Sequence, residues 1–234
     1  MTRHLLASGL LAGFAVALLA TLLQFAFLER NILLAERYES GELQHFAGAG
    51  HADAATDSAT AHDHPAAPET PFWQRQAKTA LTMIITYCGY GLVLTAGMAL
   101  SAHFNRLVNL TQALLWGAAG FAAFSLAPAM GLSPELPGVE AADLAARQTW
   151  WLLCGAATVA GLALLAYGKG WLPRAAAILL LALPHLIGAP HLAEFSGILP
   201  PELAADHAAR SLGVGLVAWV SLGGLAQWLW ARVP

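Results

Sequence analysis

Histidine and aspartate side chains are concentrated in one polar stretch of the chain, residues 43–71, which has almost nothing to bury. The members that could bind a metal ion are His45, His51, Asp53, Asp57, His62, Asp63 and His64. Neutral imidazole and carboxylate suit borderline divalent ions such as cobalt, nickel, zinc and copper. Because a stretch rich in Ala and Pro stays flexible, wrapping it around an ion costs entropy. The pattern therefore predicts capture of modest affinity, and a soluble spacer that happens to contain histidine is the alternative.

A second candidate is His185, which follows a proline inside an apolar segment. The local sequence is Leu183-Pro184-His185-Leu186-Ile187-Gly188-Ala189-Pro190-His191. Pro184 has no backbone N–H, so the carbonyl one turn earlier, near Leu180, needs another partner inside a membrane. An ionisable side chain beside a broken membrane helix predicts a step for a permeating cation. The alternative is a hydrogen-bonded structural histidine.

Two cysteines lie within apolar segments rather than in polar loops. Because sulfur ligands bind soft and borderline metals, Cys88 and Cys154 could line an entry vestibule together with His185. The other donors expected in this vestibule are Met83, Met130 and Gln24. Buried Cys and Met most often serve only packing, which is the alternative here.

Sequence motifs of several other functions are missing. Gly168-Lys169-Gly170 lacks the spacing and the Ser or Thr of a phosphate-binding loop, and no zinc-protease helix occurs. The sequence thus predicts no enzyme activity, no bound cofactor and, without a basic patch, no nucleic-acid partner. His185 and His191 are about 240° apart around a helix, so they do not present one face to a haem. The histidines at segment edges, expected at the membrane interface, are His4, His103 and His207.

Membrane helices must position these side chains, because the composition excludes an ordinary soluble domain. Hydrophobic residues make up 58% of the chain and charged residues 11%, against about 25% charged in soluble domains. Six apolar segments are each long enough to cross a hydrocarbon core of about 30 Å as a helix. They are residues 5–27, 80–100, 108–132, 149–168, 171–189 and 208–230. The sequence predicts an all-α polytopic bundle of six transmembrane helices, one integral domain over 1–234 with a long outer loop at 29–79.

Acidic residues divide the gaps between these segments into two kinds. All 14 Asp and Glu residues lie in the first, third and fifth gaps, at residues 29–69, 135–143 and 194–206. The other gaps and both termini carry only cations, and cations in short loops mark the cytoplasmic side. We therefore expect a multi-pass protein of the cell inner membrane, with the acid-bearing gaps outside and both termini in the cytoplasm.

The last two acid-bearing gaps resemble each other. Residues 134–147 read PELPGVEAADLAAR, and residues 201–210 read PELAADHAAR. The similarity predicts a parallel repeat of helical hairpins, as in some transporters. Each copy has an Asp four residues before an Arg, so Asp143–Arg147 and Asp206–Arg210 are expected to be ion pairs on a helix.

The chain resembles the CbtA family, predicted cobalt-transporter subunits of bacteria and archaea, nearly from end to end. The residues that carry the resemblance are Gln24, Ala35-Glu36-x-Tyr38-Glu39, Leu126-Ala127-Pro128-Ala129-Met130-Gly131-Leu132-x-Pro134-Glu135-Leu136-Pro137-Gly138, Ala146-Arg147-Gln148-x-Trp150-Trp151 and Pro184-His185-Leu186-Ile187-Gly188-Ala189-Pro190. The resemblance implies cobalt import linked to cobalamin synthesis, with a small single-span partner, CbtB, that brings histidines of its own. The family is often described with five spans, whereas this sequence predicts six.

Three functions stay open at this point. The first is the membrane subunit of a divalent metal uptake system, with cobalt as substrate and a CbtB-like subunit, the lipid bilayer and further copies of the chain as partners. The second is a non-transporting scaffold or regulator of a metal permease. The third is a haem-binding membrane electron carrier, which would show a Soret band when purified.

Overall fold

The chain is helical throughout the part that the structure describes. The structure is a computed structural model, and it describes residues 2–45, 71–103, 109–193 and 197–232. The α-helices within these residues are α1 (Thr2–Phe27), α2 (Glu29–Glu39), α3 (Phe72–His103), α4 (Leu110–Phe121), α5 (Ala127–Ala129), α6 (Leu144–Tyr167), α7 (Trp171–Ile187) and α8 (Pro201–Trp230). A π-helical turn, Ala122–Leu126, joins α4 to α5. The described residues contain no strand, so the predicted all-α fold is confirmed.

Most of this helical chain is long and apolar enough to cross a membrane. Five candidate spans are 20 to 37 residues long, namely α1 with α2, α3, α4 through α5, α6 and α8. The sixth apolar helix, α7, has 17 residues, which is at the lower end of the length that spans a bilayer. Large apolar side chains such as Leu22, Ile85, Leu152 and Ile178 are exposed, as contact with lipid requires. The prediction of a polytopic helical membrane bundle is confirmed.

Several helices extend beyond the apolar segments seen in the sequence. α3 begins at Phe72 rather than near residue 80, and α8 begins at Pro201 rather than near residue 208. Residues 29–39, predicted as the start of the long outer loop, form α2. Hydropathy marks only the part of a helix that lies in hydrocarbon, whereas backbone hydrogen bonds continue the helix into the aqueous layer.

Four helices, α1, α3, α4 and α8, form the core. Its buried side chains are Ala12, Val16, Ala17, Ala20, Tyr87, Leu94, Met98, Ala113, Phe121, Ala218, Trp219, Leu222 and Ala226. Small residues bring the backbones close together. A Cβ added at Gly13 would lie 2.6 Å from the Cα of Cys88, and one added at Gly223 would lie 3.0 Å from the backbone N of Gly117. These contacts fix α1 against α3 and α4 against α8.

The helices α6 and α7 form a pair at the side of the core. α6 packs on α7, on the π-helical turn and on α5, while α7 contacts no other helix of the described chain. Packing therefore does not follow the predicted repeat of hairpins, since α7 and α8 do not meet and α8 packs on α1 and α4.

The described parts of the three acid-bearing gaps lie at one end of the bundle, here called the acidic end. Ala35, Leu136 and Leu199, one from each gap, share a small buried cluster. α1 and α8 run antiparallel, because Arg210 near the start of α8 donates a hydrogen bond to the carbonyl of Phe27, at the end of α1, at 3.3 Å. The start of α1 and the end of α8 therefore lie at the opposite end. Which end faces the cytoplasm stays a prediction.

Candidate functional site

His185 lies two residues before the end of α7, beside Trp150 of α6. The two rings meet edge to face with their centres 6.1 Å apart. The indole Nε1 of buried Trp150 donates a hydrogen bond to the carbonyl of Pro184 at 3.2 Å. That carbonyl also accepts from the backbone N–H of Gly188 at 3.1 Å. Trp150 thus holds the proline-containing turn in place and helps to fix the imidazole next to it.

The end of α7 is suited to a cation. Gly188 has φ of +86°, a left-handed conformation that glycine adopts without strain and that ends a helix. The carbonyls of the last helical turn carry partial negative charge, and His185 lies in that turn. An open groove borders it, lined by Ala145, Ala146, Thr149, Trp150, Leu153, Gly188, Ala189 and Pro190. The groove is mostly apolar, and metal binding by His185 beside it stays a prediction.

The two cysteines lie on different helix contacts. The Sγ of Cys88 is 3.7 Å from the carbonyl oxygen of Leu10, where α3 meets α1. Cys154 is fully buried on α6. No group of three His, Cys, Asp or Glu side chains that could hold a metal ion occurs among the described residues. Cys88, Cys154 and His185 therefore do not form a three-ligand group with one another, and metal binding by each of them in the predicted vestibule stays a prediction.

Most of the predicted loop ligands lie outside the described residues. These are His51, Asp53, Asp57, His62, Asp63 and His64. His45 is described, and it is half-buried in the turns that follow α2. Capture of a metal ion by this loop stays a prediction.

Carboxylates at the acidic end are held by cations and amides. Arg75 at the start of α3 donates two hydrogen bonds to Glu36 of α2, at 2.8 and 2.5 Å. Arg37 bonds Glu42 at 2.8 Å, and this hydrogen bond lowers the pKa of the Glu42 carboxyl below its ordinary value. Exposed pairs of this kind add little stability. Their effect on the site is to occupy carboxylates that could otherwise bind a metal.

The two Asp–Arg pairs expected from the repeated sequence differ in the structure. Asp206 and Arg210 form the expected ion pair at 2.7 Å. Asp143 instead caps α6, where its Oδ1 accepts a hydrogen bond from the backbone N–H of Ala146 at 2.9 Å. Arg147 bonds Glu135. The prediction of an Asp143–Arg147 pair is wrong, because a carboxylate at an N-cap is taken by the free N–H groups of the first helical turn.

His207 differs from the sequence prediction of an interfacial histidine. Its side chain is only 5% exposed, on the face of α8 that also carries Ala218 and Leu222 of the core. The spacing of residues 207, 218 and 222 places them on one side of a helix. This periodicity is the sequence signal that could have predicted the burial of His207. The apolar segment at 208–230 begins just after His207, so hydropathy alone put this histidine at the edge of the membrane.

Replacement of Trp150 by phenylalanine is expected to lower stability by about 1 kcal/mol, the usual contribution of one hydrogen bond. Phenylalanine keeps a ring against His185 but cannot donate to the carbonyl of Pro184. Thermal unfolding in detergent, followed by intrinsic fluorescence, measures the change. Trp171→Phe is the control, since Trp171 is exposed. Equal unfolding temperatures for both variants would show that the indole bond does not hold this turn.

Comparison with known protein families matches residues 2–231 to the family described as "Probable cobalt transporter subunit (CbtA)". The match covers nearly the whole chain, including the core, the α6–α7 pair and the connections at the acidic end. No match was found among curated proteins or among solved structures.

Proposed function

The chain belongs to the CbtA family of probable cobalt transporter subunits, and we propose that it is the membrane subunit of a divalent-cation uptake system with cobalt as the transported substrate. The family match over residues 2–231 carries this proposal. The helical bundle and the concentration of carboxylates at one end support it, because acidic surfaces raise the local concentration of cations. We further propose that the acidic end faces outward from the cell inner membrane and that the cobalt serves cobalamin synthesis.

His185 is the residue to which we assign passage of the ion near the acidic end. The support is its place in the last turn of α7, where the helix dipole favours positive charge, and the hydrogen bond by which Trp150 holds that turn. An inside-negative membrane potential supplies about 4–5 kcal/mol per 100 mV for a divalent cation moving inward, twice the value for one charge. The chain therefore needs no ATP site of its own.

A partner subunit is part of this proposal. Among the described residues no three ligands come together, so further ligands would have to come from the histidine-containing loop or from another chain. A CbtB-like single-span subunit with its own histidines fits that need. The same observation favours the second candidate function, in which this chain is a scaffold and the partner is the permease.

Entry of radioactive cobalt into reconstituted vesicles distinguishes the two functions. Four preparations are compared under an inside-negative potential: empty vesicles, this chain alone, the single-span partner alone, and both together. Transport by this chain predicts entry above the empty vesicles with both proteins or with this chain alone, and little entry with the partner alone. Equal entry with the partner alone and with both proteins would identify a scaffold.

Two further measurements address the metal and the third function. Competition with nickel and zinc in the active preparation measures the metal selectivity of cobalt entry. An absorbance spectrum of the purified chain with a Soret band would indicate the haem carrier.

A further inference from the structure

His207 is an imidazole inside the core with one ring nitrogen unpaired. The side chain is buried on α8, and its Nδ1 has no hydrogen-bond partner within the described chain. Its Nε2 lies 3.4 Å from the Oγ of Ser211, one turn further along the helix. Buried polar atoms are nearly always paired, and an exception calls for a water, an ion or a functional role.

The charged groups next to His207 on α8 have partners of their own. The Oδ2 of Asp206 accepts a hydrogen bond from the Nδ2 of Asn31 at 2.8 Å and pairs with the Nε of Arg210 at 2.7 Å. Arg210 also bonds the carbonyl of Phe27. These contacts tie the start of α8 to α1 and α2, and none of these hydrogen bonds involves the His207 ring.

Two serines, Ser211 and Ser125, lie further along the core from His207. Ser211 follows one turn below it, and at Gly215, one turn further, an added Cβ would lie 3.9 Å from the Oγ of Ser125. Ser125 belongs to the π-helical turn, a feature that occurs frequently at functional sites.

An aromatic cluster lies next to Ser125. The rings of Phe124 and Trp219 stack with their centres 5.6 Å apart, and the ring of Tyr90 lies 4.5 Å from that of Trp219. Ser211 and Ser125 therefore lie between His207 and a cluster of packed rings in the core.

From these contacts we propose that Nδ1 of His207 binds the transported divalent cation at the acidic end of the core. This site rests on the proposed function and adds to it a ligand on α8, separate from His185 on α7. Metal-binding histidines usually donate their other ring N–H to a fixed acceptor, which sets the tautomer. Ser211 can accept from Nε2–H at this distance, and in the tautomer with the proton on Nε2 the Nδ1 lone pair is free. Neutral imidazole selects borderline ions such as cobalt, nickel and zinc over magnesium.

The test is His207→Gln in the full-length chain, because glutamine keeps an amide that can reach Ser211 and removes the imidazole lone pair. Two quantities are measured: cobalt entry into the vesicles described above, and Co²⁺ binding to the purified protein, followed by the visible absorbance of the bound ion. We expect cobalt entry to fall about tenfold or more, because disturbing even an outer partner of a metal ligand costs roughly 10–100-fold. We also expect weaker Co²⁺ binding at an unchanged unfolding temperature. His191→Gln, an exposed histidine after α7, is the matched control and should leave both quantities unchanged.

The remaining outcomes distinguish a failure of this inference from a failure of the proposed function. Normal cobalt entry and Co²⁺ binding in His207→Gln would overturn the inference. A fall in unfolding temperature that accompanies lost entry in both His207→Gln and His207→Asn would assign a structural role and overturn it as well. If the wild-type proteins move no cobalt, the proposed function fails, and the Co²⁺ titration still shows whether His207 binds the ion.

Discussion

Replacement of His185 by alanine is expected to abolish cobalt uptake without changing the amount of protein in the membrane. The imidazole lies in the last turn of α7 beside the Trp150 ring, so its removal takes away the proposed ligand and leaves the hydrogen bond between Trp150 and the carbonyl of Pro184 in place. Disturbing an outer partner of a metal ligand already costs roughly 10–100-fold in affinity, and loss of the ligand itself should cost at least as much. Cobalt accumulation in cells that depend on this protein measures the effect.

The matched control for this variant is the neighbouring residue. Leu186 is 76% exposed, so Leu186→Ala should alter only contact with lipid and leave cobalt uptake unchanged. Membrane levels of both variants are compared with the wild type by immunoblot. Uptake by His185→Ala equal to that of Leu186→Ala would remove His185 from the path of the ion.

Addition of one methyl group at Gly223 is expected to separate α8 from α4. A Cβ at this position would clash with the carbonyl oxygen of Ala113 and lie 3.0 Å from the backbone N of Gly117. Backbone atoms cannot turn away as a side chain can, so the helices must move apart. Overpacking of this kind costs about 1–3 kcal/mol. Gly223→Ala should therefore unfold at a clearly lower temperature in detergent than the wild type.

Gly213 on the same helix provides the matched comparison. An added Cβ there would meet no described atom within 4 Å, and alanine favours a helix over glycine by up to about 1 kcal/mol. Gly213→Ala should therefore be as stable as the wild type or slightly more stable. Equal unfolding temperatures for Gly223→Ala and Gly213→Ala would contradict the close packing of α4 on α8.

The sequence alone predicted the helical membrane bundle and the grouping of its connections, because both depend on local composition. A run of apolar residues long enough to cross a bilayer identifies a helix wherever it packs. Carboxylates are costly in hydrocarbon. Their confinement to residues 29–69, 135–143 and 194–206 therefore predicts that these three connections share one end of the bundle. The contact of Ala35, Leu136 and Leu199 agrees with that division.

Packing and burial could not be predicted in the same way, because they depend on contacts between distant residues. The sequence similarity between residues 134–147 and 201–210 predicts two hairpins that pack in the same way. In the structure α7 packs on α6, whereas α8 packs on α1 and α4. The ends of α3 and α8 lie beyond the apolar runs, where hydropathy gives no signal. For the same reason the sequence predicts an interfacial position for His207, just before such a run, although its side chain is buried.

The proposed path of the ion depends on one property, namely that the acidic end faces outside and both termini face the cytoplasm. Single cysteines are introduced into a chain carrying Cys88→Ala and Cys154→Ala, at exposed positions near each end. The positions are Ser133 and Glu202 at the acidic end, and Arg3 and Ala231 at the other.

Labelling of intact cells with a membrane-impermeant maleimide then tests the orientation directly. Ser133→Cys and Glu202→Cys should react at once, and Arg3→Cys and Ala231→Cys should react only after the membrane is permeabilised. Reaction of the two terminal positions in intact cells, with protection of the acidic end, would contradict inward passage from that end.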